Sequence, residues 1–121
     1  HKLASEDKIS VKEFEKENVI FTYPGEDTDN QRVFQKHKIY PHRQFSTLEL
    51  YDSFAMVKQG LGISMDNRLS AWGMEEGILY KSLDPQEYIE IGIALQSNPS
   101  PAVQEFMKYL LPLLKNEATS L

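Results

Sequence analysis

The run Val19-Ile20-Phe21-Thr22-Tyr23 is β-branched or aromatic throughout and is stopped by Pro24-Gly25, the pattern of a buried strand ending in a turn. What surrounds this strand decides how it is covered. Asp27 or Thr28 caps a helix running through Val33 and Phe34 to about Lys38, with Glu26, Asp27 and Asp29 at the end the helix dipole favours. Residues 42–46 read as a short strand. Leu48, Tyr51, Phe54, Ala55, Met56 and Val57 then keep helical spacing, and Gly60 suits the left-handed position past a helix end. Residues 61–65 read as another strand, Asp66-Asn67 as the cap of a short helix through Leu69 to Trp72, and 78–83 and 88–95 as two further strands parted at Asp84-Pro85. Alternation of this kind selects an α/β sheet covered by helices over a hairpin-built all-β domain.

The ends of the chain follow the same logic. Ser10-Val11-Lys12-Glu13 has the form of a capping box and opens a helix over about 10–17. Ser100-Pro101 caps and starts the final helix, in which Val103, Phe106, Met107, Leu110 and Leu114 recur at three- and four-residue steps. Pro112 deletes one backbone bond, so the helix is expected to kink or loosen beyond Leu111 and to fray from Asn116.

Composition narrows the function. A chain of 121 residues buries one core, and 13 Lys+Arg against 18 Asp+Glu give a net charge of −5, the wrong sign for gripping phosphates. Direct nucleic-acid binding by this stretch is disfavoured. No apolar run approaches the ~20 residues of a membrane span and the N-terminus lacks the order of a secretory signal, so a soluble, cytoplasmic protein is expected. With no cysteine there is neither a disulfide framework nor thiol chemistry.

Catalytic and metal sets do not assemble. His37 and His42 flank Pro41 in a helix-to-strand connection and His1 is terminal, so they read as solvated loop histidines rather than zinc ligands. Residues 26–30 start like a calcium loop, but Gln31-Arg32 stand where an oxygen ligand and a glycine belong. Gly60-Leu61-Gly62 follows a helix instead of preceding one, so it reads as a helix stop feeding a strand rather than a phosphate turn. Ser46, Ser53, Ser64 and Ser70 lack a nucleophile-elbow context, and Glu75, Glu76 and Glu87 read as turn and surface charges. No enzyme, metal or cofactor is indicated. What remains is Tyr23-Pro24-Gly25, Ser46-Thr47 and Asp66-Asn67, each following a strand. In a parallel sheet such ends share one edge, where free N–H groups can meet an anion; simple capping is the plainer explanation and a ligand site the alternative.

The order of segments resembles the C-terminal part of the effector-binding domain of LysR-type transcriptional regulators. The resemblance rests on His1-Lys2-Leu3-Ala4, the Ser10 helix, the strand from Val19, the run Met56-Val57-Lys58-Gln59-Gly60-Leu61-Gly62-Ile63-Ser64, and Ser100-Pro101-Ala102-Val103-Gln104-Glu105-Phe106. It implies a lobe of the periplasmic-binding-protein type II, a mixed sheet flanked by helices, with the first lobe mostly absent. By resemblance, about 1–86 form the second lobe, about 87–97 a crossing strand, and about 100–115 a helix that packs on the first lobe.

The implied role is a sensor. A small effector, often a carboxylate, would bind between lobes near Tyr23, Pro24, Gly25, Ser46 and Thr47, and the signal would pass to a winged helix-turn-helix outside this chain. Asp66 and Asn67 belong to the same edge, although Asn67 stands where the family usually has proline. A ligand-binding protein of a transport system shares the fold and is the alternative. Without its lobe, the apolar stripe of the final helix is expected to fold back or to be exchanged with a second chain at Ser97-Asn98-Pro99, giving self-association.

Overall fold

The computed structural model of the chain describes residues 1–70 and 76–118. Its regular elements are β1 (Lys8–Ser10), β2 (Val19–Thr22), α1 (Asp29–His37), β3 (Arg43–Thr47), α2 (Leu50–Lys58), β4 (Ser82–Asp84) and α3 (Pro101–Ala118), with 3-10 turns at Lys2–Ser5 and Val11–Glu15. The chain is α/β, and the strands pair β1 with β4 and β2 with β3, both parallel. Among the described residues no antiparallel ladder joins them, so the expected mixed sheet is instead two short parallel pairs.

Strand β2 organises the first unit, His1–Ile89. All of its residues are buried. Val19 and Phe21 join a core with Ile9, Val11, Phe14, Phe34, Ile39 and Met65. The Phe34 ring lies 5.5 Å from Phe14 and 5.8 Å from Phe21, both tilted, the geometry aromatic quadrupoles favour. By strand alternation Ile20 and Thr22 face the other way, and α2 packs against β2 and β3. Arg43 spreads over the Phe21 ring, 4.6 Å from its centre.

The second edge of β2 meets the chain at Ile63. Ile20 N–H donates to Ile63 O and Ile63 N–H to Asn18 O, each 2.9 Å, and the two segments run parallel. The strand expected at 61–65 shrinks to this single bridge. Met65 O accepts from Asn30 Nδ2 at 2.8 Å, a side chain of α1 standing where a ladder partner would be. Gly62 permits the approach, since a Cβ there would lie 2.3 Å from Asn18 O.

Local chemistry explains the other boundaries. Thr28, not Asp27, caps α1: its Oγ1 accepts from Gln31 N–H at 3.3 Å, while Asp27 pairs through both oxygens with Arg32. Ser10 makes no side-chain cap bond, because it also closes β1 against Asp84, and the expected helix is only the 3-10 turn Val11–Glu15. Gly60 takes φ +75° after α2, as expected. The buried face of α2 is Ser53 and Phe54, whereas Leu48 and Tyr51 of the expected stripe are exposed. After Asp66 the described residues make a turn, and the rest of the expected helix, including Trp72, lies outside them, as does Glu75.

Glu87 is more than a surface charge, and His37 more than a solvated loop residue. Lys36 Nζ and His37 Nε2, at the end of α1, hold the Glu87 carboxylate at 2.8 and 2.6 Å. The Lys36 hydrogen bond, then that of His37, hold this carboxyl below its usual range. A depressed folded-state value makes the contribution present above the ordinary glutamate range and lost as the pH falls through it.

The second unit, Glu90–Leu121, has α3 as its one regular element among the described residues. Ser100 Oγ accepts from Val103 N–H, as its capping role requires, and the helix continues through Pro112 to Ala118, past Asn116 where it was expected to fray. Phe106 is 61% exposed, and Val103 and Leu114 are exposed too. Residues 88–95 form no strand, although Ile89, Ile91, Ile93 and Leu95 alternate; a strand needs a neighbour, and none among the described residues pairs with this one.

Gly62→Ala forces methyl against the Asn18 carbonyl and should destabilise the chain by about 1–3 kcal/mol, measured by denaturant unfolding.

Candidate functional site

The parallel pairings put the C-terminal ends of β2, β3 and the Ile63 segment on one edge. Tyr23, Thr47 and Asp66 therefore share the edge that the sequence pointed to. Tyr23 N–H still bonds Thr47 O at 2.9 Å, but its φ of +52° turns the chain out of the ladder and leaves the ring exposed.

Pro24 and Gly25 leave the edge. With Glu26, Gln31, Gln35 and Arg43 they line an open groove of about 550 Å³. Ser46 is in register with Phe21, so it belongs to the face opposite Thr47. Asn67 Oδ1 accepts from Ser70 N–H at 2.9 Å, which makes it the clasp of its own turn.

Thr47 and Asp66 sit in a denser polar setting. Thr47 Oγ1 accepts from Glu49 N–H at 3.1 Å and lies 3.4 Å from Asp52 Oδ2, fixing the entry into α2. Its register partner is Thr22, 6% exposed, whose buried Oγ1 has no hydrogen-bond partner among the described residues. Register partners in a parallel ladder present side chains to the same face, so the two hydroxyls lie on the α2 side. An unsatisfied buried hydroxyl costs about 1–3 kcal/mol, a cost worth explaining at a strand end.

Asp66 ends a part-buried relay that starts at the fully buried Ser53. Ser53 Oγ, at 0% exposure, donates to Ser64 Oγ at 3.1 Å, which donates to Asp66 Oδ2 at 2.8 Å. Burial pushes the Asp66 carboxyl above its usual range, and the Ser64 bond offsets only part of this. No cation contributes among the described residues. Beside it, Phe54, Val57, Ile63, Ser64 and residues 78–80 enclose a cavity of about 100 Å³.

Sequence reasoning missed Thr22, Ser53 and Ser64. Ser53 carried a signal: Leu50, Ser53, Phe54 and Val57 follow the helical i, i+3, i+4, i+7 steps, which place a serine on the apolar face. Thr22 carried none, because inside a β-branched run a threonine reads as one more strand residue.

A family model described as the LysR substrate binding domain matches residues 1–115. An uncharacterized HTH-type transcriptional regulator, YvbU of Bacillus subtilis (strain 168), is 28% identical over 99 residues, 80% of this chain and 34% of that protein. The chain thus spans about a third of that relative's length. No solved structure matches the chain.

A raised folded-state value means that folding favours the protonated form of Asp66 relative to the unfolded chain, so its contribution is favourable below the ordinary aspartate range and is lost as the pH rises. Asp66→Asn should therefore raise the melting temperature at pH 7 to 8, with the gain shrinking toward pH 3, as followed by circular dichroism melts across pH.

Proposed function

The chain belongs to the family of LysR substrate-binding domains, and from that premise we propose that it is the effector-sensing part of a transcriptional regulator. A small molecule at the strand-end edge favours one arrangement of the domain over another, and the difference is relayed to a DNA-binding part outside this chain. No bond is made or broken in that role. The observation that carries the reading is the convergence of Tyr23, Thr47 and Asp66 on one edge, with the buried Thr22 hydroxyl left without a partner. Of the residues named from the sequence, Tyr23, Thr47 and Asp66 face the effector; Pro24, Gly25 and Ser46 support the adjoining turn and strand, and Asn67 holds its own turn.

The domain is divided as the resemblance implies: about 1–86 as the second lobe of a periplasmic-binding-protein type II fold, about 87–97 as the strand crossing back, and about 100–115 as the helix that docks on a first lobe. Two features support this division. The alternating Ile89, Ile91, Ile93 and Leu95 have the pattern of a strand but no neighbour to pair with among the described residues, and α3 carries an apolar stripe that is uncovered at Phe106. With half the contacts missing, the chain alone binds effector weakly.

In the full-length protein, Thr47→Ala should raise the effector concentration for half-maximal response by about 5- to 10-fold, the worth of one hydrogen bond, while DNA affinity is unchanged. An unaltered response removes Thr47 from the site. In the isolated chain the uncovered stripe should drive self-association at micromolar concentration, and Phe106→Glu should shift the sedimentation profile to monomer.

A further inference from the structure

Asp66 is a carboxylate that the fold holds at a cost. Its one hydrogen-bond partner among the described residues is the Ser64 hydroxyl, which is neutral, and burial disfavours its charge. A buried carboxylate in a finished core pairs with a cation or gathers several N–H donors. Asp66, half-buried, does neither among the described residues, and it borders a cavity.

The cavity has its own chemistry. Phe54 and Tyr80 meet edge to face, with ring centres 6.4 Å apart and planes at 82°. Val57, Ile63 and Ile78 complete apolar walls, and Ser64 and Asp66 supply the polar end. At about 100 Å³ the space is far below the ~300 Å³ at which whole-ligand pockets begin, so it takes one head group and a short stem. Aromatic rings lining a cavity beside a carboxylate favour a cation over an anion, and the apolar walls favour carbon on that cation.

We propose that this cavity seats an ammonium group: the ligand is a primary amine on a short apolar stem, its nitrogen paired with Asp66 and its carbons against Phe54, Val57 and Ile63. The proposal rests on the reading of the strand-end edge as an effector site and gives that effector a chemical class, an amine in place of the carboxylate that the family resemblance suggests. The Ser53–Ser64–Asp66 relay is then a positioning device: Ser64 fixes one carboxylate oxygen and leaves the other for the ligand.

The test is a titration of the isotopically labelled chain with n-butylammonium chloride, sodium butyrate and n-butanol at matched ionic strength, followed by amide chemical shifts. Butylammonium should give saturable shifts at Phe54, Ser64 and Asp66 with a dissociation constant on the order of millimolar. Asp66→Asn should weaken it about 10-fold or more, and Ser64→Ala, which keeps the charge, only a few-fold. Butyrate and butanol should leave these amides unmoved. Butanol shifting the same amides as strongly, amine binding indifferent to Asp66→Asn, or no saturable amine shift would each overturn the proposal. Butyrate moving Gly25 and Thr47 while the amine moves nothing overturns the ammonium assignment and leaves the effector edge standing. Silence from all three probes also overturns it, and the effector edge is then judged by Thr47→Ala in the full-length protein.

Discussion

Burial of β2 on both faces is the constraint on which the rest depends. Four consecutive buried residues cannot have one face in water, so the chain must supply cover on each side and a backbone partner on each edge. The aromatic cluster around Phe34 covers one face and α2 lies against the other, while β3 and Ile63 satisfy the edges. Because both neighbours run parallel to β2, their ends all emerge on the same side. The convergence of Tyr23, Thr47 and Asp66 is a consequence of this topology: parallel strands bring their C-terminal ends to one edge.

The polar groups behind that edge work against stability. A hydroxyl on Thr22 without a partner and a carboxylate on Asp66 with only a neutral one are groups that apolar substitutes would relieve. Their cost is borne by the Phe14, Phe21 and Phe34 cluster on the opposite face of β2. Strain and unsatisfied polarity are thus gathered at strand ends, away from that cluster, which is why the proposed effector edge is placed there.

Much of the fold was legible in the sequence, and the reasons for the gaps are physical. Strand β2, α1 with its Thr28 cap, β3 and the Gly60 stop follow local rules, in which the residues that decide the conformation lie within a turn of it. The strand at 61–65 shrinks to one bridge and 88–95 forms no ladder because a ladder depends on a partner distant in sequence: Met65 O is taken by Asn30, and residues 88–95 have no neighbour among the described residues. Of the stripe expected on α2, Phe54 is buried but Leu48 and Tyr51 are exposed, although they outweigh in hydrophobicity the Ser53 that takes the buried position. Of the proposed edge, the convergence of Tyr23, Thr47 and Asp66 was legible from strand ends; the placement of the Thr22, Ser53 and Ser64 hydroxyls depends on which face each residue takes, which only the fold decides.

The central claim is that this chain is one lobe of an effector-binding domain, with residues 88–95 and α3 made to pair with a lobe outside it. Amide hydrogen exchange, compared between the isolated chain and the intact protein, tests it most directly. The account predicts that β2 is protected in both, whereas 88–95 exchange freely in the isolated chain and gain protection at alternate amides in the intact protein, as a strand with a new neighbour does. Free exchange of 88–95 in the intact protein would contradict it.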